Sequence, residues 1–145
     1  MEKHADTLLL IGRVLLGVIF LSSGVGKLMN LDAFAGSLAK GGVPMPGAMA
    51  MLGGMVETLG GLAVVLGVQV RWAAALMILF VIVATLIAHR FWEFAEPARR
   101  VQQTQFMKNL SIIGGFLVLL AAGGGRFSLE RLWSRDLQKG VRAPT

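Results

Sequence analysis

Six polar side chains interrupt stretches that are otherwise apolar: Arg13, Lys27, Glu57, His89, Lys108 and Asn109. Their types suit proton handling and hydrogen bonding. Glu57 lies within Gly53-Gly54-Met55-Val56-Glu57-Thr58-Leu59-Gly60-Gly61, inside an apolar run from about Gly47 to Val68. A run of roughly 20 such residues crosses a bilayer as a helix. A charge near the midplane costs at least about 2.5–3.5 kcal/mol on insertion scales, so Glu57 is expected to face a packed interior and to have a partner. Gly53 and Gly61, about a turn before and after it, would let another helix approach closely.

Depth suggests the partners. At 1.5 Å per residue, Arg13 lies about 9 Å from the side that holds the termini, and Glu57 about 15 Å from it. A guanidinium on its long stem spans that difference, so the expected ion pair is Arg13–Glu57, either a lock on helix packing or part of a site. Lys27, His89, Lys108 and Asn109 reach the opposite edge from three different spans. They would ring the mouth of a pocket whose floor is Ser22, Ser23, Thr85 and Glu57. Each has a plainer reading. Lys27 is a typical snorkelling residue, His89 sits beside Trp92 in an interfacial belt, and Lys108-Asn109 opens a helix. Their convergence at one depth favours a ligand-binding group of Glu57, His89, Lys108, Asn109, Lys27, Ser23 and Thr85. No residue is assigned as catalytic.

Several chemistries are excluded for this chain. There is no cysteine, hence no disulfide, thiol relay, or Cys-ligated zinc or iron–sulfur centre. The two histidines, His4 and His89, fall on opposite sides, so neither bis-His haem ligation nor another metal site is expected. No phosphate-binding glycine loop, nucleophile elbow or HExxH motif is present.

The elements that must position these groups follow from hydropathy. Over 145 residues, 55% are hydrophobic, and the mean hydropathy of +0.70 is too apolar for an ordinary soluble domain. The pattern predicts an all-α polytopic membrane protein: one four-helix transmembrane domain over 1–126, with spans at about 7–28, 47–68, 72–92 and 106–124. The first run is read as an uncleaved helix, because Glu2 and Asp6 spoil a signal-peptide n-region and the run is too long for an h-region. Leu31 to Leu38 is expected to form a short re-entrant or interfacial helix before the loop signals Gly41-Gly42, Pro44 and Pro46. Trp72 marks one interface, and Phe91, Trp92 and Phe94 mark the other. Glu93 to Gln105 reads as a polar loop.

The segment 127–145 is different in kind. Ser128 is expected to cap a helix from Leu129 to Leu137, with Leu129, Leu132, Trp133 and Leu137 on one face. Arg126, Arg131, Arg135, Lys139 and Arg142 surround that stripe. It predicts an interfacial amphipathic helix on anionic lipid headgroups, which accounts for much of the +6 net charge without nucleic acid. Four spans put both termini on one side, and with the membrane-edge Lys27, Arg90 and Lys108 set aside the charge bias predicts that side to be cytoplasmic.

Read together, these residues resemble the DoxX family. The resemblance rests on Arg13 in the first helix, Ser23-Gly24-Val25-Gly26-Lys27-Leu28 at its end and Glu57-Thr58-Leu59-Gly60-Gly61 in the second. Ala84-Thr85-Leu86-Ile87-Ala88-His89 in the third and Lys108-Asn109-Leu110 opening the fourth complete it. It covers about Leu8 to Arg126 and implies a multi-pass protein of the bacterial inner membrane. It also implies a link to quinone-linked oxidoreductase or redox-stress complexes, as an accessory subunit beside partner subunits. Two readings stay open. In one, His89 and Lys108 donate hydrogen bonds to a quinone carbonyl, Glu57 relays a proton, and the electrons come from a partner, since no cofactor is identified here. In the other, the chain is a non-catalytic scaffold or assembly factor whose intramembrane polar groups hold helices together. Whether the chain is itself an enzyme stays open with them.

Overall fold

A computed structural model describes residues 2–134, and the architecture among them is entirely helical. Five helices follow one another: α1 (Glu2–Met29), α2 (Leu31–Lys40), α3 (Pro46–Leu66), α4 (Val70–Ala88) and α5 (Ala98–Ala122). Four of them, all but α2, are long and apolar enough to cross a membrane. α1 packs chiefly on α3, α3 on α4 and α4 on α5, while α1 meets α5 more weakly. The bundle is therefore wound in an up-down order, with α2 lying against α3.

Glycines set the α1–α3 interface. A Cβ on Gly61 would lie 2.6 Å from the Leu21 backbone nitrogen, and one on Gly24 would lie 2.6 Å from that of Thr58. Gly54 leaves room for the Leu28 side chain. Backbones this close gain dispersion contacts that larger residues would forbid. The close face of α3 runs through Gly54 and Gly61, not Gly53 and Gly61. Seven residues bring a 3.6-residue helix nearly back to the same bearing, whereas eight leave it about 80° away. Gly53 accordingly turns towards Phe34 and Phe80.

The rest of the core is aliphatic and aromatic: Phe20, Val64, Val70, Ala74, Met77, Val81, Phe116 and Leu119. Phe20 and Phe116 join α1 to α5 with ring centroids 5.5 Å apart. Many large apolar side chains on the outside, such as Leu15, Leu59, Leu79 and Val118, are more than half exposed, as lipid-facing residues must be.

The helix ends follow local chemistry. Pro46 occupies the first turn of α3. Gly67 closes that helix with φ +76°, a left-handed cap that suits glycine. Only Val68 and Gln69 then separate α3 from α4. α5 begins eight residues before the expected 106, so much of the polar stretch 93–105 is helix rather than loop. α4 ends at Ala88, with His89 as its cap, and a 3-10 turn at Phe91–Glu93 packs on α5. Phe91, Trp92 and Phe106 make an edge-on aromatic cluster there, with centroids 5.2–6.2 Å apart.

Beyond α5 the chain turns through Gly123–Gly125 and re-enters a helix at 129–134. The Arg131 N–H donates to Ser128 Oγ at 3.3 Å, so Ser128 caps this tail helix. Leu137, Arg135, Lys139 and Arg142, expected to extend its apolar and basic faces, lie outside the described residues.

Candidate functional site: a polar-ended cleft in the bundle

Glu57 is buried on α3, its side chain 6% exposed, but its partner is Lys27 rather than Arg13. Lys27 Nζ donates to both carboxylate oxygens, at 2.7 and 2.8 Å, and Ser23 Oγ adds a third hydrogen bond at 3.2 Å. Helix register is the reason. Gly24 packs at Thr58 and Leu28 at Gly54, so α3 begins eight residues beyond Leu28, roughly 12 Å further along. The short α2 fills that offset. Depths counted as if every span began at one level therefore place Lys27 too far from Glu57.

Arg13 lies instead beside Gly67, at the C-terminal end of α3 and near that of α5. Its guanidinium donates to Gly124 O at 2.9 Å and to Phe127 O at 3.2 Å. A cation at the ends of two helices meets the negative ends of both macrodipoles. At 1% exposure it would otherwise be a stranded charge.

The remaining candidates fall into two groups. Asn109 Nδ2 donates to Thr85 Oγ1 at 2.8 Å, and Thr85 Oγ1 donates to Val81 O at 2.6 Å. His89 Nδ1 lies 2.8 Å from Gln102 Oε1. With that oxygen as acceptor, Nδ1 carries the proton, and Nε2 of the neutral ring is an acceptor; it donates only as imidazolium. Gln102 escaped notice in the sequence because it falls where a loop was expected. Its spacing to Phe106, Asn109 and Phe116 is helical and gives the signal. Lys108 does not join these groups. It is exposed on another face of α5, with Arg100, Thr104 and Ser111, because adjacent residues are about 100° apart on a helix. Ser22 turns back to Ile19 O and is not at the cleft.

One cleft of about 510 Å³ gathers Ser23, Lys27, Glu57, His89 and Asn109. Phe20, Val56, Phe80 and Ile112 are among its apolar walls, and it extends to lipid-facing Leu76, Leu79 and Val83 on α4. Phe34 and Leu38 of α2 line it too. The Phe34 ring centroid lies 4.9 Å from Lys27 Nζ, a cation–π contact that orients the ammonium. Polar side chains thus meet a mainly apolar cleft. Among the described residues no cluster of His and carboxylates could hold a metal ion.

A family model described as DoxX matches residues 8–90. The inner membrane protein YphA of Escherichia coli is 35% identical over 124 residues, covering 86% of this chain and 89% of that protein. This chain belongs to the DoxX family. The inner membrane protein YqjF of the same organism is 34% identical to this DoxX protein over 93% of the chain and 98% of its own length. Membrane protein Rv3486 of Mycobacterium tuberculosis is 31% identical over 85% of the chain and 79% of its own length. No solved structure gives a significant match. The matched DoxX segment contains Arg13, Ser23, Lys27, Glu57, Thr85 and His89, whereas Gln102 and Asn109 lie beyond it on α5.

Proposed function

We propose that this DoxX protein is an accessory subunit of a quinone-linked oxidoreductase system in the bacterial inner membrane, and that its cleft holds the quinone. The cleft's composition carries the reading: a mainly apolar groove reaching lipid-facing residues, with Ser23, Lys27, Glu57, His89 and Asn109 in its lining. An isoprenoid tail suits the walls, and a carbonyl or hydroxyl head suits the polar groups. Asn109 keeps an N–H and its carbonyl oxygen for a ligand, and His89 keeps Nε2. His89 accepts from a quinol hydroxyl when neutral and donates to a quinone oxygen when protonated. Donors aimed at that oxygen favour the charge that develops on reduction. Glu57, held by Lys27, is the proton relay, and the electrons come from a partner subunit. The names of the E. coli relatives support the inner-membrane assignment. The termini lie on the cytoplasmic side, where the basic tail meets anionic headgroups.

One observation favours a scaffold instead. Glu57 with Lys27 and Ser23, Asn109 with Thr85, and His89 with Gln102 already satisfy much of one another's hydrogen bonding. Quinone content per purified protein separates the two readings. The quinone reading expects wild type to retain quinone and Asn109→Leu to retain roughly tenfold less, the effect of one lost hydrogen bond of about 1.4 kcal/mol. Folding should change little. Quinone-free wild type whose melting temperature does not respond to added quinone would leave the scaffold reading standing.

A further inference from the structure

A larger cavity, about 1040 Å³, lies at the other end of the bundle, where α1 begins and α5 ends. Three arginines line it from three separate segments: Arg71 from the first turn of α4, Arg126 from the turn after α5, and Arg131 from the tail helix. Asp6 and Glu130 line it too, so among the described residues one positive charge is in excess. None of the three arginines forms an ion pair among the described residues. Arg71 uses one nitrogen on Ala121 O at 3.2 Å, and the Arg126 guanidinium stands 5.7 Å from the Phe127 ring centroid. Much of their donor capacity is therefore unspent.

The walls are fixed. Arg13, reaching through from inside the bundle, holds Gly124 O and Phe127 O. The Glu130 N–H donates to Gly67 O at 3.2 Å, and the Arg126 N–H donates to Asp6 Oδ1 at 2.9 Å. The tail is thus stapled to α1 and to the α3–α4 turn: Arg71 stands on α4 itself, Arg126 on backbone tied to Asp6, and Arg131 next to the tied Glu130.

We infer that this cavity binds the phosphodiester of a membrane phospholipid. The spanning helices end at this level, which is where headgroups lie. Exposed Trp72 and Trp133 flank it in sequence, next to Arg71 and near Arg131, as interfacial residues do. Arginine forks match phosphate oxygens in pairs. One excess charge balances a single phosphodiester, and Asp6 and Glu130 in the same lining offer carboxylates to a headgroup ammonium or hydroxyl.

The test uses the full chain, delipidated in a nonionic detergent and melted with short-chain phosphatidylglycerol, short-chain phosphatidylethanolamine, uncharged diacylglycerol or inorganic phosphate. Wild type should be stabilised saturably by the phospholipids and not by diacylglycerol or by inorganic phosphate alone. Arg71→Gln and Arg131→Gln should each raise the half-saturating lipid concentration about tenfold, as loss of a charge-assisted hydrogen bond predicts. Arg90→Gln, at the other end of the bundle, should leave it unchanged. Stabilisation by inorganic phosphate equal to that by lipid would overturn the lipid assignment. Arg71 and Arg131 variants indistinguishable from wild type, or an Arg90 variant equally affected, would overturn the site itself.

Discussion

Replacing Lys27 by Met should destabilise this protein far more than replacing Glu57 by Gln. Lys27→Met keeps the stem's volume but leaves the Glu57 carboxylate, 6% exposed, with only Ser23 as donor. Breaking a buried pair by removing one partner costs about 3–5 kcal/mol. Glu57→Gln strands Lys27 instead, and Lys27 is 31% exposed near the end of α1, where it can extend towards water. That loss should be about 1–2 kcal/mol, the net worth of a hydrogen bond to a charged group. The double variant should sit close to Glu57→Gln alone, so the coupling should approach the whole Lys27→Met loss of about 3–5 kcal/mol. The control is Arg13→Met with Glu57→Gln. Arg13 packs at Gly67, ten residues from Glu57 along α3, roughly 15 Å away. Groups so separated add within about 0.3–0.5 kcal/mol. The assay is reversible unfolding in mixed micelles by added SDS, with the cycle evaluated at a common mole fraction. Additive Lys27 and Glu57 losses, or coupling between Arg13 and Glu57, would refute the pairing.

Gly61→Ala should destabilise by about 1–3 kcal/mol, because its Cβ meets Leu21 and Gly17 backbone rather than a movable side-chain end. Gly114→Ala, with nothing within 4 Å, should be neutral or stabilising by about 0.5–1 kcal/mol in the same unfolding assay; equal losses at both positions would argue against the close α1–α3 approach. Arg13→Met should free the tail by leaving Gly124 O and Phe127 O without their donor, and limited proteolysis should then cut near residue 126 while the bundle stays intact. A tail as resistant as in wild type would show that Arg13 does not hold it.

The spanning helices were legible because hydropathy over twenty residues is a strong signal, and so was the burial of Glu57, since a carboxylate amid glycines has few other places to go. The partner of Glu57 was not legible. It depends on an axial offset between α1 and α3 set by α2, a helix with no buried residue of its own and so little mark in the pattern. Lys108 and Asn109 show the same limit: neighbours in sequence, they face different ways once α5 is known to start at Ala98. Gln102 became visible only with that earlier start. The partners of Arg13 were not legible either: they are backbone carbonyls, which any residue type offers.

The most direct test is photolabelling in native membranes with an azido-quinone, followed by mapping of the labelled peptides. A quinone in the cleft labels α3 around Gly53–Glu57 and α4 around Phe80–His89, and excess unlabelled quinone suppresses both. Labelling spread over the lipid-facing residues of all four spans, such as Leu15, Leu59 and Val118, and insensitive to competitor, would contradict a quinone site in this protein.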